Sequence, residues 1–203
     1  MKNTPKLILI ICIGQLLVSC FDFNNNKDEN LSIDKDFVPI KINNEYGIKI
    51  PSYMKKTNDL NDEASLQFQN VFKEAYIVII DESKKEFVDT FKEIGEYNDS
   101  ISVAKNYRDI QLQFLHEGID ISMQSEPKSK RIHGLDAELV EIDGRVDGIF
   151  YDISYFLTFI EGEEKVYMVM AWTLKKRKEK YKKTFEKAVG SFRLLNSKIS
   201  VSE

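Results

Sequence analysis

Residues 149–174 read IFYDISYFLTFIEGEEKVYMVMAWTL, and this stretch decides the fold. Two strand-like runs, Ile149 to Glu161 and Lys165 to Leu174, flank the acidic turn Glu161-Gly162-Glu163-Glu164. The second run has apolar side chains on both faces of the strand. Val166, Met168, Met170 and Trp172 lie on one face, and Tyr167, Val169 and Ala171 lie on the other. Because strand side chains alternate between faces, the pattern predicts a long antiparallel hairpin in a sheet that is covered on both sides, with Trp172 buried.

The segments before this hairpin add further strands. Val38, Ile40 and Ile42 alternate up to the turn residues Asn43-Asn44, after which Tyr46 to Pro51 forms the second half of a predicted hairpin. Strands are also predicted around Leu66 and Phe68, at Tyr76–Ile80, which is apolar on both faces, at Ile119–Met123 and at Ala137–Asp143. Pro127 to Lys130 is polar throughout and predicts a loop.

Three helices are predicted from apolar residues at spacings of three and four. The first carries Phe87, Phe91 and Ile94 and ends at Gly95; the second is capped by Asp99 or Ser100 and ends at Gly118. The third, near the C-terminus, has one apolar side formed by Tyr181, Phe185, Ala188 and Val189. Strands that pair with their sequence neighbours, and helices in blocks, predict an α+β fold in which helices cover an antiparallel sheet.

The order of these elements resembles the PsbP-like fold of extrinsic photosystem II proteins and their non-photosynthetic relatives. The resemblance extends from about Phe37 to Leu195 and is carried by Tyr46–Pro51, Gly134–Ala137, Met170–Trp172 and Phe185–Phe192. It implies an α/β/α sandwich and a mostly non-enzymatic family of binding and assembly factors. Nothing in the chain indicates a photosynthetic partner, so that role is not expected here.

The N-terminus resembles a bacterial lipoprotein signal. Lys2 and Lys6 precede the apolar run Leu7 to Val18, which is too short to span a bilayer, and Leu17-Val18-Ser19-Cys20 matches the lipobox pattern. The resemblance implies a diacylglycerol thioether on Cys20, cleavage between Ser19 and Cys20, and usually acylation of the new amine, with palmitate as the expected acyl group. A plain secretory signal or a short N-terminal anchor is the alternative.

These features divide the chain into four parts. Residues 1–19 are the predicted signal peptide, 20–36 the lipidated cysteine with a flexible polar tether, 37–195 the PsbP-like domain, and 196–203 a frayed tail. The predicted location is the bacterial cell envelope. Phe21 stands where inner-membrane lipoproteins of enteric bacteria carry Asp, which favours the outer membrane; whether the domain faces the periplasm or the exterior stays open.

Composition limits the classes of function. The chain has 203 residues and a formal net charge of −4, which argues against a dedicated nucleic-acid-binding protein. Of its two cysteines, Cys12 lies in the predicted signal and Cys20 would be lipidated, so the mature domain would have no disulfide. Its stability would then depend on packing.

No pattern predicts catalysis, a metal site or a cofactor. His116 and Glu117 begin like a zinc-protease helix motif, but Asp120 stands where the second histidine belongs and Gly118 interrupts the helix. His133 has the surroundings of a turn residue. Asp143 to Gly148 lacks the alternating ligands of a calcium loop and is better explained as a glycine-containing turn.

The most unusual surface feature is a basic segment at the start of the last helix, formed by Lys175, Lys176, Arg177, Lys178, Lys180, Lys182 and Lys183. Cations at a helix N-terminus oppose the helix dipole, so the segment is a candidate for contact with anionic headgroups, a glycolipid or an acidic partner. A solvated helix face that keeps the sheet soluble is the simpler explanation.

The sequence therefore predicts a lipid-anchored envelope protein whose domain is a non-catalytic binding or assembly module. Its expected partners are the membrane, through the lipid on Cys20, and an envelope protein or anionic glycolipid. Two alternatives remain: an envelope hydrolase, and a small-ligand carrier that would use an apolar cleft between sheet and helix.

Overall fold

The computed structural model describes residues 28–195. Within them the elements follow in this order: β1 (Phe37–Ile42), β2 (Tyr46–Pro51), β3 (Lys55–Lys56), β4 (Ala64–Asn70), β5 (Ala75–Ser83), α1 (Lys84–Glu93), α2 (Val103–Gly118), β6 (Asp120–Gln124), β7 (Lys128–Ile132), β8 (Leu135–Arg145), β9 (Ile153–Glu161), β10 (Lys165–Leu174), a 3-10 turn (Lys175–Arg177), α3 (Lys178–Gly190) and β11 (Arg193–Leu194). The predicted α+β class, an antiparallel sheet covered by helices, is confirmed.

The main sheet is antiparallel and has eight strands, in the order β3-β4-β5-β10-β9-β8-β6, with β7 also paired to β8. The hairpin predicted from residues 149–174 forms β9 and β10, which pair from Val166 opposite Glu161 to Leu174 opposite Ile153. The strand therefore begins at Ile153, four residues later than predicted. A small three-stranded sheet, β1-β2-β11, lies beside the main one.

Alternation along β9 and β10 separates two apolar cores. One core, on what we call the α3 face, contains Tyr167, Val169 and Ala171 together with α3 and the small sheet. The other, on the α1–α2 face, contains Val166, Met168, Met170 and Trp172 together with residues of α1 and α2. Trp172 is 6 % exposed and stacks on Tyr76 with ring centroids 5.1 Å apart, so its predicted burial is confirmed.

Several boundaries differ from the sequence-based expectations. Residues 128–132, expected mostly as a polar loop, form β7, because each pairs with β8 from Lys128 opposite Leu139 to Ile132 opposite Leu135. The cap of α2 is Ser102, whose hydroxyl accepts from the Lys105 amide, and not Asp99 or Ser100. Gly144 lies within β8, where a Cβ would lie 2.5 Å from Ile119 Cγ2, so glycine allows β6 to approach.

The described part of the predicted tether, residues 28–36, lies on the domain. Glu29 donates its amide to the Lys180 carbonyl at 2.9 Å, and its carboxylate accepts from the Tyr53 and Thr184 hydroxyls. Leu31 and Ile33 pack against the core of the α3 face. Residues that precede Phe37, where the sequence placed the start of the domain, therefore already contact it. None of the helices described is long and apolar enough to cross a membrane.

Candidate functional site

A groove of about 390 Å³ lies between α3 and the part of the main sheet formed by β7, β8 and β9. We call it the α3 groove. Its apolar lining comes from both sides, with Ile132, Leu139 and Phe156 from the sheet and Phe185 and Val189 from the helix. Its volume lies within the range of ordinary ligand sites, roughly 300–1,000 Å³.

The groove exists because one helix does not cover the whole α3 face. α3 packs on β2, β9 and β10, and its buried side is formed by Tyr181, Phe185, Ala188 and Val189, as the sequence predicted. Leu139 points to the same face from β8, but it is only partly buried. The apolar side chain of Leu139 therefore lies at the edge of the area that α3 covers, partly exposed to solvent.

The sheet side of the groove carries two lysines. Lys128 lies opposite Leu139 and Lys130 opposite Ala137; Ala137 belongs to the core of the α3 face, and Leu139 packs against that core. Side chains opposite each other in an antiparallel pair share a face, so both lysines border the groove. Within residues 28–195 neither lysine is part of an ion pair, which leaves their charges available to a bound anion.

β7 also offers backbone groups. It pairs with β8 on one side, and among the described strands none pairs with its other side. An edge of this kind presents unpaired amides and carbonyls to which an extended peptide can add as a further strand. The groove and this free edge are adjacent, since both involve Lys128 to Ile132.

The far wall of the groove is acidic but neutralised. Glu141 lies between Lys182, at 2.6 Å, and Lys178, at 3.2 Å. Burial alone would raise the pKa of the Glu141 carboxyl, but hydrogen bonds from Lys182 and Lys178 outweigh it and lower the pKa below its ordinary value. At this end of the groove, the carboxylate from the sheet and the lysines from α3 therefore neutralise one another.

The predicted basic segment does not form a free cationic surface. Five of its residues have acidic partners: Lys175 (Asp143 and Asp152), Arg177 (Glu74), Lys178 (Glu141 and Asp143), Lys182 (Glu141) and Lys183 (Asp28). Lys176 and Lys180 have no ion pair within the described residues and lie near the rings of Tyr151 and Tyr181. The opposing charges explain how a helix can begin with so many cations.

The other residues singled out from the sequence have ordinary surroundings. His116 Nε2 lies 3.0 Å from the Gln124 amide oxygen, and His133 occupies the β7–β8 turn with φ of 47°. No group of three or more potential metal ligands occurs within the described residues. The predicted lipidation site Cys20 and the cleavage residue Ser19 lie outside the described residues.

Sequence reasoning missed the α3 groove because it interpreted Pro127–Lys130 as a loop. β7 has the sequence KSKRI, with one buried residue in five, so it lacks the apolar alternation that identifies a strand. The lysines at positions 128 and 130 were visible, but the face to which they point follows only from the pairing with β8.

Protein-family models and curated proteins give no match to this sequence. Solved structures do resemble the fold. A cyanobacterial PsbP from Synechocystis sp. PCC 6803 aligns with a TM-score of 0.50 and 10 % identity over 83 % of this chain and 97 % of its own. The Ran-binding protein Mog1p of Saccharomyces cerevisiae aligns with a TM-score of 0.50 and 8 % identity over 78 % and 95 %. At these identities the likeness shows the fold alone, which is PsbP-like as the sequence indicated.

Proposed function

We propose that this is a lipid-anchored protein of the bacterial envelope whose domain is a non-catalytic binding module, with the α3 groove as its binding site. The observation that carries the proposal is the groove itself: an apolar lining, two border lysines without an ion pair in residues 28–195, and a strand edge beside them that no described strand covers. A groove of this kind can bind a ligand of matching shape and negative charge, and binding needs no catalytic group.

The ligand that suits this combination is an extended acidic segment of another envelope protein. Its backbone would pair with the free side of β7, an apolar side chain would enter between Leu139 and Phe185, and its carboxylates would meet Lys128 and Lys130. Strand addition supplies affinity through main-chain hydrogen bonds, while alternate side chains supply specificity. The groove thus favours a protein partner over the anionic glycolipid, since the basic segment is largely paired within the domain.

The lipid anchor is supported by the sequence pattern Leu17-Val18-Ser19-Cys20 after a short apolar run. A tethered domain meets membrane partners at a high effective concentration, so a weak groove interaction would be sufficient. Mass spectrometry of the native protein tests this part: we expect a chain that begins at Cys20 and carries acyl groups, and an unmodified Cys20 would overturn the anchor.

A small-ligand carrier is the second candidate, and the groove volume of about 390 Å³ is the observation in its favour. The ligand would be a small amphipathic anion, such as a fatty acid, held by the apolar lining and by Lys128 or Lys130. Extraction of the purified native protein with organic solvent, followed by mass spectrometry, would detect such a ligand.

Chemical crosslinking of the full lipidated protein in its own membranes, followed by purification, tests the groove. The variant K128E/K130E should lose its crosslinked partner because it repels an acidic segment. The matched control is K55E/K56E, which makes the same charge change on exposed β3, at the opposite edge of the sheet. Equal crosslinking by both variants would overturn the groove as the binding site.

A further inference from the structure

Two phenylalanines project into solvent from one end of the main sheet. Phe72, in the β4–β5 turn, is 87 % exposed, and Phe150, in the β8–β9 loop, is 90 % exposed. Tyr151 follows Phe150 and is itself 43 % exposed. Large exposed apolar side chains that share one surface are typical of surfaces that contact a membrane or a protein partner.

The two loops lie at the same end because of the strand pairing. Ala75, which begins β5, pairs with Thr173 near the end of β10, and Ile153, which begins β9, pairs with Leu174. The 3-10 turn after β10 then joins both loops. Arg177 donates to the carbonyl of Lys73 at 2.9 Å, and the Lys175 amide donates to the carbonyl of Asp152 at 2.8 Å. We call this surface the aromatic end.

The described chain also begins at the aromatic end. The Glu29 carboxylate contacts Lys73, the neighbour of Phe72, at 2.7 Å, and Asp28 pairs with Lys183 on the second turn of α3. Seven residues separate Cys20 from Asp28 in the sequence. Eight residue steps reach at most about 28 Å at ~3.5 Å each, so a lipid on Cys20 would hold this end close to the bilayer.

Charge contributes little at the aromatic end. Lys175, Arg177 and Arg145 are paired with Asp152 or Glu74, which leaves Lys176 as the cation of the 3-10 turn without an ion pair in the described part of the chain. Lys176 Nζ lies 6.0 Å from the centre of the Tyr151 ring. Lys180, whose carbonyl accepts from the Glu29 amide, likewise has no ion pair within residues 28–195. A surface with exposed aromatic rings, whose nearby cations are mostly held in ion pairs, suits the interfacial layer of a bilayer, where aromatic side chains are favoured, with little dependence on anionic lipid.

We infer that the aromatic end is a membrane-contacting surface, in which Phe72 and Phe150 insert into the interfacial layer of the bilayer that holds the Cys20 lipid. The inference rests on the lipid anchor of the proposed function and adds an orientation to it. The α3 groove runs along the side of the domain and would stay open to a partner while the aromatic end is in contact with lipid.

Site-directed fluorescence on the full lipidated protein tests the orientation. With Cys20 blocked by its lipid, a cysteine placed at position 72 or 150 can be labelled alone with a polarity-sensitive dye. The controls are Glu164, exposed in the β9–β10 turn at the opposite end of the sheet, and Ile94, 52 % exposed at the end of α1. Each labelled protein is reconstituted into vesicles of phosphatidylcholine, with or without phosphatidylglycerol.

We expect the emission of dyes at positions 72 and 150 to shift to the blue on reconstitution, equally in both vesicle types, and the emission at 94 and 164 to stay unchanged. Blue shifts that require phosphatidylglycerol, or equal shifts at all four positions, would overturn the inference. A protein that does not float with the vesicles would overturn the lipid anchor and this orientation with it. A protein that floats while dyes 72 and 150 remain in water would overturn the orientation alone.

Discussion

The two faces of the main sheet are covered to different extents. On the α1–α2 face, two helices enclose a continuous set of rings in which Phe87 contacts Phe91 at 5.0 Å and Tyr107 at 5.1 Å, and Tyr107 contacts Phe159 at 5.9 Å. On the α3 face, a single helix and the small sheet cover the main sheet, and Leu139 is left half-buried beside a groove. A sheet that is wider than its cover keeps apolar surface at the margin, and that margin is where a partner can bind.

The ion pairs on the two faces also differ in how far they are buried. Arg108 of α2 binds Glu138 of β8 at 2.6 Å on the α1–α2 face, with the two side chains 12 % and 5 % exposed. Lys182 of α3 binds Glu141, three residues further along β8, at the open groove. Since solvent screens the second pair more than the first, the two pairs should differ in their contribution to stability.

The largest expected effect contrasts one side chain from each face. Trp172→Ala removes a ring that stacks on Tyr76 within the α1–α2 face and should lower the free energy of unfolding by ~3–5 kcal/mol. Leu139→Ala, at the groove, should lower it by about 1 kcal/mol because the side chain is already partly in solvent. Urea-induced unfolding measures both, and equal losses would mean that the two faces are packed alike.

The two ion pairs give an intermediate effect. Glu138→Ala leaves the Arg108 guanidinium largely buried with Asp109 as its remaining partner, and should lower the free energy of unfolding by about 3 kcal/mol. Glu141→Ala should lower it by about 1 kcal/mol. The double variant R108M/E138L, which removes both buried charges, should recover much of the loss of Glu138→Ala. A double variant as unstable as the single one would show that Glu138 acts through something other than its pairing with Arg108.

The smallest effect is a pH dependence at the groove. Because Lys182 and Lys178 hold the pKa of Glu141 below its ordinary value of 4.5, the folded state binds the proton less readily than the unfolded state. This contribution to stability is therefore present above pH 4.5 and is lost as the pH falls through the lower folded value. Urea-induced unfolding from pH 7 to pH 3 should show a smaller decline for Glu141→Gln than for the unchanged protein. Parallel declines would mean that the Lys–Glu141–Lys contact does not form in solution.

The sequence was most informative where periodicity is strong. The alternating residues of β9 and β10 predicted the central hairpin, the two-sided core and the burial of Trp172. A strand with apolar residues on both faces buries all of them only when other elements cover both sides of the sheet. Asn43 and Asn44 predicted the β1–β2 turn, and both adopt positive φ. The spacing of Tyr181, Phe185 and Val189 similarly predicted the buried side of α3.

The α3 groove and the neutralised basic segment needed the tertiary structure. β7 is a strand through its pairing with β8, not through its own composition, and so the direction of Lys128 and Lys130 could not be read from the sequence. The sequence could not show that most of the charges from Lys175 to Lys183 are paired, because their acidic partners are distant in the chain. Glu74 precedes Arg177 by about a hundred residues, and Asp28 precedes Lys183 by 155. The periodicity of apolar residues is a local property that can be observed in the sequence. The pairing of charges depends on which distant segments the fold brings together.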